Sequence, residues 1–431
     1  MDKMADVLGR AGAWCGQNKY LSAIKNAFQN FMPLTIAGAI GVLWCNVLVN
    51  ESTGLGIFFK PIMALDFLNP AFQAVNFCTI SCITVGITLG IAQEIGVWNM
   101  GAERAGYIPG LVGLAAWLSV TNTSHMVEGA KEAFTGIAGN ELGATGLFTG
   151  MIIGVLSVEL FCFFEKQDAL KIKMPEQVPP GVARAFEVLV PATITLIITA
   201  CIGSACYNLT GLYLNDVIKN GIQGPLGAVG ATIPGVMIIY LVIMLFWLVG
   251  IHGNNMLSAV KEALFTPLAL ENVEKFNKGE KPTNMYFLQM CGEFGGSGVT
   301  IGLVIAIMIF GKREDNKAIA TLSLVPGLFN INETVTFGIP MVLNPILGIP
   351  FVFACLVTIL VGYVLTVIGF CPVACLTVPW TTPPIVFGFL ATGANVMGAV
   401  TQAILIVVST VIYVPFLIAY EKYQNKQAAE A

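Results

Sequence analysis

Long apolar runs separated by short polar interruptions dominate the chain. They occupy 31–49, 71–95, 107–120, 144–164 and 188–207, then 234–250, 298–311, 351–369 and 396–420. A bilayer core needs about 20 mostly apolar residues per helical crossing, and hydropathy windows of that length mark the spans. The pattern predicts an all-α polytopic membrane protein of about ten transmembrane helices. The tenth crossing is expected within 338–347 or in another piece broken by proline.

The runs change texture near residue 230. Before it they are long and regular. After it they are punctuated: Gly338-Ile-Pro, Asn344-Pro, Gly348-Ile-Pro, Cys371-Pro and Val378-Pro-Trp-Thr-Thr-Pro-Pro. Broken backbone at membrane depth frees amides and carbonyls. It survives only where it is buried in protein or lines a wet cavity, as at the midplane sites of many transporters. The expected organisation is an interfacial or cytoplasmic segment at 1–30, a helical scaffold half at 31–207 and an outer interfacial connector at 208–233. A solute-handling half with re-entrant segments follows at 234–420, and a cytoplasmic tail at 421–431. Within the connector, 211–223 mixes polar and apolar residues at helical spacing and reads equally as an interfacial helix or an ordinary loop.

Composition sharpens the class. Apolar residues make up 56% of the chain and charged ones only 11%, against about 45–50% and about 25% in soluble proteins. Soluble enzymes and disordered scaffolds are excluded. The net charge of −4 comes with no dense basic tract, so no nucleic-acid partner is expected. The eleven cysteines sit mostly in apolar runs, and His125 and His252 are the only histidines. No metal-ligand spacing occurs, and neither metal nor cofactor is expected. Lys3, Arg10, Lys19 and Lys25 near the start, Lys166, Lys171, Lys173 and Arg184 in 165–184, and Lys422 and Lys426 near the end all point to the cytoplasmic side. Both termini are expected inside.

The ionisable residues narrow the search. From Ala318 to Tyr420, Glu333 is the only Asp, Glu, Lys, Arg or His, and from Asn220 to Val260 His252 is the only one. A charge at the bilayer centre costs at least about 2.5–3.5 kcal/mol and usually faces a pathway. Glu333 stands among Asn330, Asn332, Thr334 and Thr336, groups that can bind hydroxyls, cap a broken helix, or both. His252 ends an apolar run that contains Trp247, and Gly253, Asn254 and Asn255 follow it. Trp380, followed by Thr381, offers a flat face of the kind that stacks on a sugar ring. Plainer roles stand beside these: a helix cap or interhelical hydrogen bond for Glu333, packing for His252, interfacial anchoring for Trp380. Glu94, Glu159 and Arg104 lie near span ends, where snorkelling suffices. His125 reads as a loop residue.

At these positions the sequence resembles the membrane IIC subunit of the lactose/cellobiose/diacetylchitobiose family of the phosphoenolpyruvate-dependent sugar phosphotransferase system. The likeness rests on Gly250-Ile-His-Gly, on Asn330-Ile-Asn-Glu-Thr-Val-Thr-Phe-Gly-Ile-Pro followed by Asn344-Pro, and on Pro379-Trp-Thr-Thr-Pro, in that order and spacing. It extends upstream through Ile24-Lys-Asn-Ala-Phe and Met32-Pro-Leu-Thr-Ile-Ala-Gly. In one departure, Thr334 stands where the family usually has Pro.

The resemblance implies a homodimer of ten-helix subunits with two re-entrant hairpins, the first half forming the dimer contact and the second the sugar site. It also implies a soluble IIB partner whose phosphocysteine donates a phosphoryl group to the 6-hydroxyl of a disaccharide. Only 421–431 follow the last apolar run, so IIB is expected as a separate protein, and this chain as a transport subunit with no phosphoryl-carrying residue of its own. In that reaction Glu333 would be the base and His252 would orient the same hydroxyl. Asn254, Asn255, Asn332, Trp380, Thr381 and Trp247 are candidate sugar contacts. The rival reading is a proton-coupled secondary sugar transporter with Glu333 as proton carrier. A less favoured one is an intramembrane enzyme without transport.

Overall fold

The computed structural model describes residues 10, 14, 17–51, 56, 59–125, 134–175, 177–230, 232–285 and 288–430. The chain is helical almost throughout, with a single two-residue strand pair, β1 (Ser124–His125) and β2 (Phe134–Thr135). His125 lies on β1, its Nε2 3.2 Å from the Asn122 carbonyl.

α1 (Lys19–Leu43) starts well before the expected boundary at residue 31. Hydropathy misses its first turns because Ser22, Lys25 and Asn26 dilute them. What starts it is Asn18, whose Oδ1 accepts from the amides of Tyr20 and Leu21 at 3.1 Å each, an N-cap that satisfies two free donors. The run 71–95 is two helices, α2 (Asn69–Cys78) and α3 (Ile83–Met100), divided at Thr79. There the Thr79 hydroxyl donates back to the Val75 carbonyl at 2.6 Å, and Gly38 of α1 packs against it. α4 (Ile108–Val120) and α5 (Ala144–Glu165) follow the expected runs closely, while α6 (Pro180–Thr210) begins before the expected 188, within the polar stretch that ends at Arg184.

Small residues let these helices approach, as is usual within membranes. A Cβ on Gly113 would lie 2.3 Å from that of Ala92, and one on Gly150 2.2 Å from the Thr88 hydroxyl. The charges near span ends are paired rather than merely snorkelling. Lys19 meets Glu159 at 2.6 Å, Asn26 donates to Glu94 at 2.9 Å, and Glu165 bridges Arg104 at 2.8 Å and Arg184 at 2.9 Å. The stretch 211–223 is helical, as Leu214–Ile218 and a following wide turn. Its Asn215 and Gln223 are buried against α5, accepting from Thr149 and donating to the Ala144 carbonyl.

The second half contains α7 (Ile233–Leu248), α8 (Ser258–Asn277), α9 (Ile301–Phe310), α10 (Glu314–Leu328), α11 (Glu333–Gly338), α12 (Gly348–Val367), α13 (Val386–Ala391) and α14 (Val396–Glu430). Among the described residues six helical stretches are long and apolar enough to cross a membrane. A seventh is bent by 61° between Met290–Val299 and Ile301–Phe310, while α4 and α7 are shorter apolar helices. The segment 338–347 is not a crossing but a series of turns. Pro340 and Pro345 withhold two amides, and the Asn344 side chain closes the turn by accepting from Ile346 and Leu347 at 2.9 Å each.

Two large apolar cores result, beside a small cluster of Ala116, Trp117, Val120 and Ile153 in the first half. One is built from residues between Ala23 and Ile218 together with Leu270, Val273, Cys375 and Leu376; the other lies between Val236 and Tyr420. α8 and the irregular segment at Cys375 are therefore pieces of the second half that dock on the first. Asn272, fully buried, ties them together: its Nδ2 donates to the carbonyls of Asn284 and Ala374 at 2.8 Å, and its Oδ1 accepts from the amides of Thr283 and Asn284.

Candidate functional site

The bend before α9 explains where several polar side chains of the second half go. Gly295, Gly296 and Gly298 all have positive φ, between 69° and 88°, and the freed backbone groups are taken up by side chains far away in sequence. Asn330 Oδ1 accepts from the Gly295 amide at 2.7 Å, and Asn332 Nδ2 donates to the Ser297 carbonyl at 2.9 Å. The Tyr413 hydroxyl donates to the Gly298 carbonyl at 2.8 Å. This is the compensation that non-helical backbone needs at membrane depth. Asn332 is only 4% exposed and also donates to the Thr336 hydroxyl. Its side chain is spent on the fold, which corrects the expectation that it contacts solute.

Asn330 adopts the left-handed region, φ 63°, which a short amide side chain tolerates better than most. From there its Nδ2 reaches the carbonyls of Trp380 at 2.5 Å and Thr382 at 2.9 Å. One residue thus holds together the bend, the turn before α11 and the Trp380 segment. Glu333 opens α11 immediately after that turn.

His252 is placed from the other side. The end of α7 is locked to the segment after α11 by the Leu343 amide, which donates to the Leu248 carbonyl at 2.8 Å. Gly250, φ 81°, then turns the chain, and His252 caps the short helix Gly253–Met256. A Cβ on Gly253 would sit 2.0 Å from the Ile243 carbonyl oxygen, so only glycine fits there.

As a result His252 Nε2 lies 3.8 Å from Glu333 Oε1, with the two side chains 38% and 46% exposed. The separation is too long for a direct hydrogen bond, and both groups remain open to a polar guest. His252 Nδ1 accepts from the Asn255 amide at 3.2 Å. In the neutral ring this partner assigns the proton to Nε2, the nitrogen facing Glu333. A hydroxyl seated beside both can accept from Nε2–H and donate to the carboxylate, so the pair can orient one hydroxyl and take its proton.

The remaining candidates divide. Trp247 is 1% exposed and packs under the His252 ring, centroids 4.4 Å apart, where it supports the imidazole. Asn255 is exposed and contributes its backbone amide to His252. The Asn254 Oδ1 is buried with no hydrogen-bond partner. Trp380 and Thr381 are exposed.

Trp380 also lines a cavity of about 250 Å³ between the two halves. One wall is α1, with Gln29 and Thr35; the other is α8 and the Thr377–Trp380 segment. Sequence reasoning missed Lys261 and Glu262 on this wall, and Glu293 behind it. Lys261 pairs with Glu293, which also accepts from the Tyr240 hydroxyl at 3.1 Å. The signal was a knot of ionisable residues right after the His252 segment, which hydropathy reads as the start of a loop.

Comparison with known proteins places these features. A family model, phosphotransferase system EIIC, matches residues 25–355. The oligo-beta-mannoside-specific EIIC component of Bacillus subtilis is 33% identical over 98% of this chain and 94% of its own length. The cellobiose-specific EIIC component of Lactococcus lactis is 29% identical over 98% of both chains. Among solved structures, the transporter ChbC, the IIC component of the N,N'-diacetylchitobiose-specific phosphotransferase system, superposes with a TM-score of 0.88 at 29% identity, over 97% of each chain.

Proposed function

This chain belongs to the phosphotransferase-system EIIC family, and from that membership we propose that it carries a disaccharide of the cellobiose, lactose or diacetylchitobiose type across the membrane and presents its 6-hydroxyl to a phosphocysteine on IIB. The observation that carries the reading is the facing of His252 Nε2 and Glu333 Oε1 at 3.8 Å, both open to a guest. In the transfer, the sugar oxygen attacks phosphorus, the O–P bond forms as the S–P bond breaks, and the thiolate stays on IIB. The hydroxyl proton passes to Glu333. Phosphoryl transfer is mostly positioning and electrostatics with a base to hold the proton, which is what a fixed acceptor–donor pair supplies. Trp380 provides the ring platform, with Thr381 next to it in the chain and Asn254 two residues after His252 as further polar groups.

Translocation follows as motion of the second half against the first. Separate large cores in the two halves, with α8 and the Cys375 segment docked on the first, support rigid-body movement of this kind. The working form in this reading is a homodimer through the first half, with both termini cytoplasmic.

The test is the form in which labelled sugar reaches the interior of energised vesicles. A phosphorylated product that requires phospho-IIB and survives a protonophore is expected. Free sugar accumulated at the expense of a proton gradient would establish the secondary-transporter reading instead.

A further inference from the structure

Lys261 and Glu262 are the ionisable side chains among the described residues lining the interhelical cavity, and they are not alike. Lys261 is neutralised by Glu293, itself held by the Tyr240 hydroxyl. Glu262 receives one hydrogen bond, from the Thr266 hydroxyl one turn along α8 at 2.6 Å. The Lys261–Glu293 pair is thus closed on itself, and Glu262 is left on the cavity wall with Thr266 as its hydrogen-bond partner. A polar group on a mostly apolar cavity wall normally faces something that hydrogen-bonds to it.

The rest of the wall indicates what that is. Gln29, Thr35, Thr266 and Thr377 offer neutral donors and acceptors, and Trp380 offers an apolar face. An aromatic platform beside a carboxylate and amide or hydroxyl groups suits a ring bearing hydroxyls, because an ionised carboxylate accepts from up to four donor sites.

Place also matters. Trp380 is tied by its carbonyl to Asn330, and three residues of chain, at most about 11 Å, separate Asn330 from Glu333. Trp380 thus links this cavity to the turn that precedes Glu333, the arrangement that a disaccharide spanning both would need.

We propose that Glu262 is a sugar-binding carboxylate: it accepts hydroxyls of the ring distal to the one phosphorylated, with that ring lying on Trp380. The inference rests on the sugar-permease reading. Glu262 binds and selects the substrate, whereas Glu333 takes the proton. Because Gln29 and Thr35 of the scaffold half form the opposite wall, an occupied cavity also bridges the two halves.

The experiment uses the full chain in lipid nanodiscs with cellobiose, lactose, mannobiose and diacetylchitobiose as probes, then deoxy analogues of the tightest binder on its distal ring. Glu262→Gln should weaken binding by about tenfold or more, since hydrogen bonds to a charged acceptor are the strong ones. In transfer from phospho-IIB the loss should fall on KM rather than on the maximal rate. One distal deoxy analogue should lose the same factor against the wild type and lose nothing further against Glu262→Gln. Glu262→Asp, which keeps the acid but withdraws its oxygens by one methylene, gives the same comparison should Glu262→Gln not fold. Wild-type affinity in both variants, or equal losses for every analogue in wild type and variant, overturns the assignment of Glu262 alone. Failure of the wild type to bind any probe or to phosphorylate it overturns the permease reading beneath it.

Discussion

Replacing Asn330 tests how the fold assembles the site. Its side chain makes three hydrogen bonds: from the Gly295 amide, and to the carbonyls of Trp380 and Thr382. Each such bond contributes about 0.5–1.5 kcal/mol net, and more where its partner is left buried and unpaired. Asn330 is half-buried, so water re-satisfies part of what is lost, and about 2–3 kcal/mol is expected for Asn330→Gly. Glycine accepts φ 63° freely, so that variant isolates the side chain. Asn330→Ala adds the cost of placing a Cβ in the left-handed region, about 1–2 kcal/mol more. Equilibrium unfolding in mixed micelles measures both, and the order should be wild type, then Gly, then Ala. Sugar affinity should fall in both, because the Trp380 segment loses its anchor. Asn330→Gly with wild-type stability and affinity would refute the claim that this amide holds bend, turn and platform together.

Three other substitutions probe separate parts. Trp380→Ala should weaken sugar binding several-fold, about 3- to 12-fold on the scale of aromatic contacts, with Trp380→Phe between; equal Kd values by titration calorimetry would remove the stacking role. Asn272→Ala leaves two buried carbonyls and two amides short of partners and should cost about 2–4 kcal/mol in the same unfolding assay; less than half that would mean water fills the gap. Cysteines at Asn46 and Asn277, whose amides meet at 2.9 Å across the two halves, should stop uptake when cross-linked in a background without reactive thiols. Undiminished transport would contradict the two-body motion.

The solitary acid at Glu333 and the solitary histidine at His252 were legible from the chain because their surroundings are otherwise free of charge. So were α4 to α6, whose apolar runs are uninterrupted. What the pattern hid has a physical reason in each case. α1 begins inside a polar-looking stretch because Asn18, not hydrophobicity, sets its start. Asn330 and Asn332 resembled solute ligands, yet both serve the Gly295–Gly298 bend 35 residues away in sequence, a pairing that local spacing cannot reveal. Trp247 lay near His252 in sequence and lies near it in space, but underneath. Glu262 was passed over because its neighbour Lys261 gave the segment the texture of a loop, and only the fold shows that Glu293 claims that lysine.

The most direct test of the central claim is single-turnover transfer from phospho-IIB to bound sugar by Glu333→Gln, with sugar affinity measured on the same sample. A positioned base contributes about 10²–10⁴-fold, so the account predicts a rate reduced by that order while the sugar still binds. A near-normal transfer rate at full occupancy would show that the hydroxyl proton leaves by another route.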